Sequence, residues 1–569
     1  MSTSVLFFIP SGIRSRVAFM SNTPVFRPSL LALTLLMTGP SLAQSLPDAG
    51  RILQEQVPNL ELPPASPNFE FSAPTSNQVE PGGPQIQIQA VRITGNSLFT
   101  EAELLALLGE VQGQSFDLAG LQQLAARITA YYSTTGYPFA RALIPAQRMT
   151  DGVLRLQVVE GRYGQISTQG EGRLGEQASA FLGSLQTGAL IESKSLERAT
   201  LILDDQPGIK TTPIMRPGQT LGSGDLQVQV ERETLLSGEV GLDNHGNRYT
   251  GEHRGFFNLR ASSPFTLGDQ LSLRTLYTEE EMWYGSLDYS LPLGGSGLRA
   301  KVGYAQTYYE LGKEFAGLDA RGTAKVTSAG LSYPLLRSQQ ANLSLTATYQ
   351  HKKLRDEYRA TDSQQDKSSH SLPISLQFDL RDSLGGAGIT FGSLAWTHGK
   401  LNLDRDLRAA DRLSARSEGH FDKINLDIAR LQLLPGAFSL YGRFSGQLAG
   451  ENLDSSEDFG LGGPNSVRAY PAGEGYGDQG WLTQMELRYA MGAFSPFIFH
   501  DSGRVRLAHS PWQAGDNHRS LSGAGAGVRF DQGPWLAEAT LAWRTAGGAP
   551  ESDSRNRVPT SWLSAQYRF

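Results

Sequence analysis

The sequence predicts a transmembrane antiparallel β-barrel of about sixteen strands, preceded by two small α+β domains. Three observations carry this. From about Leu235 to Phe569 apolar and polar residues alternate in segment after segment, and helical spacing disappears. Before that, one β-α-α-β-β order is written twice. Finally, no internal stretch reaches the roughly 18 uncharged apolar residues of a membrane helix, so any crossing is made by strands.

Composition narrows the function classes before any motif does. Of 569 residues, 39% are hydrophobic and 19% charged, with a formal net charge of −6. No long basic block occurs, so no nucleic-acid partner is expected. The 63 glycines and 9% aromatic residues suit an all-β protein with many turns, although composition alone does not establish a barrel. Cysteine is absent, which removes disulfides, thiolate metal sites and cysteine nucleophiles together.

The first 47 residues hold Arg14, Arg16 and Arg27 but no Asp or Glu, then the apolar run Leu30 to Met37 and the small-residue stretch Ser41-Leu42-Ala43. That order reads as a secretory signal peptide over 1–43, with Met1 and Met20 both open as the start. Residues 44–84 are expected to form a short helix at Asp48 to Gln56, which could plug the barrel, and an extended linker marked by Pro58, Pro63, Pro64, Pro67, Pro74, Pro81 and Pro84.

The first α+β domain is predicted over 85–162. Gln85 to Ile93 alternates as a strand, Thr100 and Glu103 make a capping box before an apolar helix, a second helix runs from Leu118 to Ser133, and strands follow near Ala140 to Ile144 and Val153 to Val159. The second domain, over 163–234, repeats the scheme: a strand at Gln165 to Thr168, helices near Gln177 to Leu185 and Ser195 to Asp204, and strands at Ile209 to Met215 and Leu226 to Val230.

The barrel is predicted over 235–569. Leu343, Leu345, Ala347 and Tyr349 share one face, as do Trp481, Met485, Leu487 and Tyr489. Trp535 and Trp543 bracket Ala537, Ala539 and Leu541, with Glu538, Thr540 and Arg544 facing away. Such brackets fit the two aromatic girdles of a barrel with a polar lumen. A soluble sandwich also alternates, but about sixteen segments in 335 residues leave roughly 21 residues for each strand and connection, enough for the ~9–11 that span a bilayer. Leu563, Ala565, Tyr567 and the terminal Phe569 share a face on a closing strand.

The longest connection of this region, about Glu451 to Gly480, contains Gly462-Gly463, Ser466-Val467-Arg468-Ala469-Tyr470-Pro471 and Glu474-Gly475-Tyr476-Gly477-Asp478-Gln479-Gly480. Here the sequence resembles the TpsB transporters of two-partner secretion, the ShlB/FhaC/HecB type, within the superfamily of POTRA-bearing outer-membrane polypeptide transporters. The resemblance covers nearly the whole mature chain. It implies two periplasmic POTRA domains, an outer-membrane barrel facing lipid, and an unfolded secreted exoprotein of TpsA type as partner. It further implies that the loop between the eleventh and twelfth strands folds into the barrel, where its tip, Val467-Arg468-Ala469-Tyr470, meets Asp501 in Phe497-Ile498-Phe499-His500-Asp501-Ser502-Gly503. Arg468 and Asp501 would form a bidentate pair in a confined lumen. Ala469 stands where the family usually has glycine, and it disfavours a positive φ. Asp243 to Gly251 is similar to the family's first-hairpin wording.

No catalytic residue, cofactor or metal is expected. Gly475-x-Gly477-x-x-Gly480 matches a dinucleotide fingerprint but lacks the flanking strand and helix, Gly399-Lys400 lacks the rest of a phosphate loop, and the nine histidines form no ligand pattern. Gly523-Ala524-Gly525-Ala526-Gly527 reads as a strand with one face free of side chains, where the wall curves or a loop approaches. Two rival functions remain: a barrel-insertion factor, whose relatives usually carry more POTRA modules, and a passive porin with a periplasmic binding module.

Overall fold

The structure, a computed structural model, describes residues 46–56, 60–64, 80–149 and 151–569. The predicted signal peptide, 1–43, and most of the Pro-rich linker lie outside the described residues.

The short helix α1 spans Ala49–Gln54, with the Asp48 side chain accepting from the Arg51 N–H at its start. The first α+β module then has the predicted order. The strand predicted from Gln85 to Ile93 is split in two: β1 (Ile86–Gln87) forms a two-residue ladder with β3 (Ser115–Phe116), which the alternation did not announce, and β2 (Ala90–Thr94) joins a sheet ordered β2, β5 (Val153–Val159), β4 (Arg141–Leu143). Helices α2 (Glu101–Leu108) and α3 (Leu118–Thr134) cover one face of that sheet. The Thr100–Glu103 capping box is present in both directions, which satisfies two otherwise unpaired N–H groups of α2. Leu104, Leu108, Leu124 and Ile128 pack onto Ile93, Leu154 and Leu156 in a core of their own.

The second module repeats this with a sheet ordered β6 (Arg162–Gly170), β8 (Ser223–Arg232), β7 (Ile209–Pro217) and helices α4 (Leu174–Ser179) and α5 (Ser193–Asp204). Its first helix starts three residues earlier than the predicted 177–185 and turns 3₁₀ over Ala180–Leu182. The buried stripe runs Leu174, Ala178, Phe181, Leu182 and on to Leu185, so the apolar period begins at Leu174, ahead of the predicted start. The module is docked on the barrel: Arg337 forms a two-pronged ion pair with Asp205 at 2.6 Å, Arg198 donates to the Pro334 carbonyl at 2.6 Å, and Leu267 from a barrel turn enters the module core.

Sixteen antiparallel strands close into one barrel, from Leu236–Asp243 to Thr560–Arg568. Ser564–Arg568 pairs with Glu239–Asp243 to complete the ring. Closure leaves no unpaired edge, the condition for a sheet to stand in hydrocarbon. The faces divide as the sequence predicts. Trp535 and Trp543 remain 54% and 44% exposed, whereas Glu486, from the opposite face of its strand, is 4% exposed. A soluble sandwich would bury the tryptophans and expose the carboxylate. The turns after even-numbered strands of the ring differ from those after odd-numbered ones: the former touch the second module at 263–269 and 334–339, and the latter lie at the far end.

Glu160, at the junction between the modules, is 8% exposed. Its carboxylate accepts from the Ser97 N–H at 2.6 Å, the Leu98 N–H at 3.0 Å, the Tyr132 hydroxyl at 3.1 Å and the Ser97 hydroxyl. Burial works against the charge, but these donors outweigh it and hold the carboxyl below its usual range. Replacement Glu160→Gln should destabilise the first module by about 1–3 kcal/mol, measured by urea unfolding of a fragment spanning 80–234. In the wild type the contribution of Glu160 is full above the ordinary glutamate range, about pH 4.3. It should be lost as pH falls from there through the lowered native value, and Glu160→Gln should abolish that part of the pH dependence.

Candidate functional site: a loop and a helix inside the barrel

The connection between the eleventh strand (Phe438–Ala449) and the twelfth (Gln479–Tyr489) folds back into the lumen. A two-residue ladder, Phe459–Gly460 with Tyr476–Gly477, closes its base. Inside it the Val467 N–H donates to the Leu461 carbonyl at 2.8 Å, the Tyr470 N–H to the Val467 carbonyl at 3.0 Å and the Gly463 N–H to the Tyr470 carbonyl at 3.1 Å, making a compact tip. Val467, Ala469 and Tyr470 are buried among Leu482, Phe497, Phe499 and Leu521 of the wall.

The structure brings Arg468 and Asp501 together. Arg468 Nε and Nη2 donate to the two Asp501 oxygens at 2.8 and 2.7 Å, and the Arg468 N–H adds a third bond at 3.1 Å. The guanidinium also lies 3.6 Å from the Phe499 ring centroid, a cation–π contact. Its remaining prong, Nη1, donates to Glu486 at 2.6 Å. Glu486 in turn accepts from Arg488 at 2.8 Å and Arg529 at 3.0 Å, and Arg529 reaches Glu538 at 2.7 Å. Three guanidiniums thus face three carboxylates, Asp501, Glu486 and Glu538. The alternation puts Glu538, and Glu486 between the outward Met485 and Leu487, on the polar faces of their strands but gives neither a partner, because it does not fix the cross-strand register.

Glycines make room for the tip. A Cβ at Gly523 would lie 2.4 Å from the Ala469 Cβ, and one at Gly503 would lie 2.5 Å from Leu461 Cδ2. Gly525 and Gly527 leave space for the Phe499 and Phe497 rings at 2.6 and 2.5 Å. The side-chain-free face of 523–527 therefore admits both a loop and the aromatic floor beneath Arg468. Ala469 is not among the described residues with positive φ, so alanine is accommodated, and Gly523 supplies the space its methyl occupies. Gly475-x-Gly477-x-x-Gly480 belongs to this loop and to the start of the twelfth strand, with no helix after it.

A second anchor holds the loop on the barrel's last connection, and sequence reasoning missed it. Glu474 accepts from Arg519 at 2.7 Å, from the Glu551 N–H at 2.9 Å and from the Ser552 N–H at 2.8 Å. The Tyr470 hydroxyl donates to the Ala546 carbonyl at 2.8 Å, and Trp562 Nε1 donates to the Arg468 carbonyl at 2.8 Å.

Helix α1 lies in the lumen beside the same loop. Ala49 and Ile52 pack on Tyr309 and Leu354 of the wall and on Tyr249 and Met282 of two far-end turns. The Ala49 N–H donates to Asp356 at 2.9 Å, and Lys367 bridges Asp48 at 3.2 Å and Asp454 of the loop at 2.8 Å. A Cβ at Gly50 would sit 2.6 Å from the Ser456 backbone nitrogen, so helix and loop touch backbone to backbone. Asn247, in the stretch resembling the family's first hairpin, donates to Glu55 at 3.3 Å and to the Ala472 carbonyl at 3.2 Å, tying helix and loop to the first far-end turn. The Pro64 carbonyl accepts from Arg381 at 2.6 Å, near the module-side end of the eighth strand (Ser363–Asp382).

Truncation of Arg468 leaves Asp501 buried without its cation, and truncation of Asp501 leaves Arg468 buried with only its Glu486 contact, so each of Arg468→Ala and Asp501→Ala should loosen the tip by about 3–5 kcal/mol. The double variant should cost less than the sum by about 0.5–3 kcal/mol, read as hydrogen exchange of residues 461–475. Gly523→Ala should expose the same amides, and adding Ala469→Gly should restore protection.

The model of the family described as haemolysin secretion/activation protein ShlB/FhaC/HecB matches residues 222–530, and that of the ShlB-type POTRA domain matches residues 86–161. The heme/hemopexin transporter protein HuxB of Haemophilus influenzae (strain 86-028NP) is 27% identical, covering 90% of this chain and 94% of its own. Among solved structures, CdiB from Escherichia coli aligns with a TM-score of 0.70 at 20% identity, over 91% of this chain and 95% of that one. BamA from Haemophilus ducreyi, lacking POTRA domains 1–3, aligns at 0.50 and 14% identity over 85% of this chain and 100% of its own, a likeness of architecture alone. With the haemolysin-secretion model spanning more than half of it and a POTRA match ahead of the barrel, the chain belongs to the ShlB/FhaC/HecB family, outer-membrane transporters of two-partner secretion with periplasmic POTRA domains.

Proposed function

We propose that the chain takes an unfolded exoprotein in the periplasm by strand addition to its second POTRA domain and passes it through the barrel lumen once loop and helix move aside. The observation that carries this reading is the filling of the lumen: both occupants are held by ion pairs, hydrogen bonds and apolar contacts, all reversible. A sixteen-strand ring encloses space that side chains alone do not fill, so a shut resting state needs such occupants and transport needs their displacement. The outer face meets lipid, and the polar inner face meets the passing chain.

The edges of the two POTRA sheets differ in what they offer. β7 carries Pro213 and Pro217, which cannot donate to a new strand. In β2 the Ile93 N–H is already bonded to Glu101 at 3.0 Å, and β4 is three residues long. That leaves β6, nine residues without proline, whose start at Tyr163 is already paired with Gly188 and Ala189 and whose stretch from Ile166 to Gly170 is the edge that supports augmentation. With no nucleotide site in this reading, folding of the exported chain outside prevents its return, and a substrate unable to fold outside should leave more slowly.

Two outcomes test the proposal. The chain has no cysteine, so single cysteines can be placed cleanly. Gln169→Cys in β6 should crosslink to a cysteine in the exoprotein's N-terminal region, whereas Thr212→Cys in β7 should not, and the reverse pattern would refute the β6 assignment. Gly50→Val, which crowds Ser455 and the Ser456 N–H, should free α1 and raise single-channel conductance in planar bilayers. Unchanged conductance would mean that the helix does not help close the passage.

A further inference from the structure

The outer wall carries a cationic patch that export does not use. On the sixth strand (Ala320–Arg337) and seventh strand (Ala341–Tyr358), Leu331, Tyr333, Leu345 and Tyr349 face outward and are exposed. Lys325 and Lys353 share that face and stand directly opposite one another. Inward-facing neighbours confirm the sense: Lys352 meets Glu457 of the folded-in loop, and Asp356 meets α1. One row nearer the membrane, Thr327, His351, His370, Lys400 and His420 follow one another across five strands.

Every carboxylate on this part of the face is engaged. Arg355 holds Asp366 at 2.8 Å, Arg321 holds Glu357 at 2.6 Å, Asp422 accepts from Trp396 and contacts His398 at 3.1 Å, and Glu310 accepts from Tyr308. Lys325, Lys353 and Lys400 make no ion pair with any described residue. Like charges directly across a strand pair oppose sheet formation, so an uncompensated Lys325–Lys353 pair calls for an anion from outside the chain. The position fixes what kind. Lys353 lies four residues beyond the exposed Tyr349 and Lys400 four beyond the exposed Trp396. That is about 13 Å along a strand, less along the membrane normal because strands tilt, and so just above the aromatic girdle at headgroup depth on the outer leaflet. A cleft of about 440 Å³ opens there, lined by Thr323, Lys325, Lys353, Arg355, Ser368 and Asn402, together with two carboxylates that are already engaged, Asp366 by Arg355 and Asp404 by the Asp366 N–H and the start of the helix that follows it. Cations beside hydroxyl and amide groups suit a phosphorylated sugar better than a phosphodiester alone.

We propose that this patch, centred on Lys325 and Lys353, binds the phosphorylated sugar headgroup of an outer-leaflet glycolipid. The inference rests on the placement of the barrel in the outer membrane and not on what the barrel exports. The test uses the full mature protein in neutral detergent, titrated with bisphosphorylated lipid A bearing its inner core sugars. Phosphate-stripped lipid A, phosphatidylglycerol and inorganic phosphate serve as comparators, and heat-modifiable gel mobility reports the closed barrel. The double variant K325Q/K353Q should weaken glycolipid binding about tenfold or more. K325R/K353R should retain it, and R405Q/R412Q, which removes the same charge from the exposed far-end helix Arg405–Asp411 and its cap, should leave it unchanged. The proposal is overturned if K325Q/K353Q, with its barrel closed, binds like the wild type, if R405Q/R412Q weakens binding equally, or if stripping the phosphates has no effect. Equal binding of phosphatidylglycerol or of inorganic phosphate would overturn the glycolipid assignment in favour of the simpler anion.

Discussion

A strand in hydrocarbon must have every N–H and C=O paired within the protein, and the rest of this structure follows from meeting that condition with a ring of sixteen. The ring closes through five residue pairs between the last strand and the first, while the long sixth, seventh and eighth strands pair over much greater lengths. Closure at this strand number creates an interior too wide for wall side chains to fill. A folded-in loop and a helix from the N-terminal segment occupy it instead, and their chemistry is that of a removable part.

The charges in the lumen have a consistent logic. Burying Arg468 is tolerable because Asp501 receives it bidentately and Glu486 takes its last prong, and Glu486 is in turn held by Arg488 and Arg529. Buried ion pairs add little net stability over apolar packing, but breaking one is costly. Such a network therefore favours one loop position sharply over nearby ones without adding greatly to overall stability. The Lys367 bridge between Asp48 and Asp454, and the Lys352 and Lys423 contacts to Glu457, do the same for the helix and the root of the loop.

What could be read in the sequence was whatever depends on local period. The capping box at Thr100 and Glu103, the doubled module order and the outward faces of 343–349 and 535–543 are set by residues within a turn or a strand of one another. The pairing of Arg468 with Asp501, 33 positions apart, came from family resemblance, since no local pattern joins them. The roles of Glu486, Gly50 and Gly523 were hidden because each depends on which residue lies opposite once register is fixed. The shifted α4 is a smaller case, in which apolar residues on both sides of Gln177 fit a helical stripe and only packing against β6 and β8 selects the earlier one. The lysine pair on the outer wall is also a product of register, Lys325 opposite Lys353, and of no motif.

In the proposed route the exported polypeptide travels through the lumen and not along the outside of the wall. Neighbouring residues of the tenth strand (Gly419–Leu433) allow a direct measurement, because Asn425 faces inward beside Gln447 while Ile424 faces lipid and is exposed. With an exoprotein stalled in transit by a folded C-terminal block, a single cysteine at 425 should crosslink to the translocating chain and one at 424 should not. Crosslinking at 424 with none at 425 would put the path outside the barrel and rule out the lumen as the route.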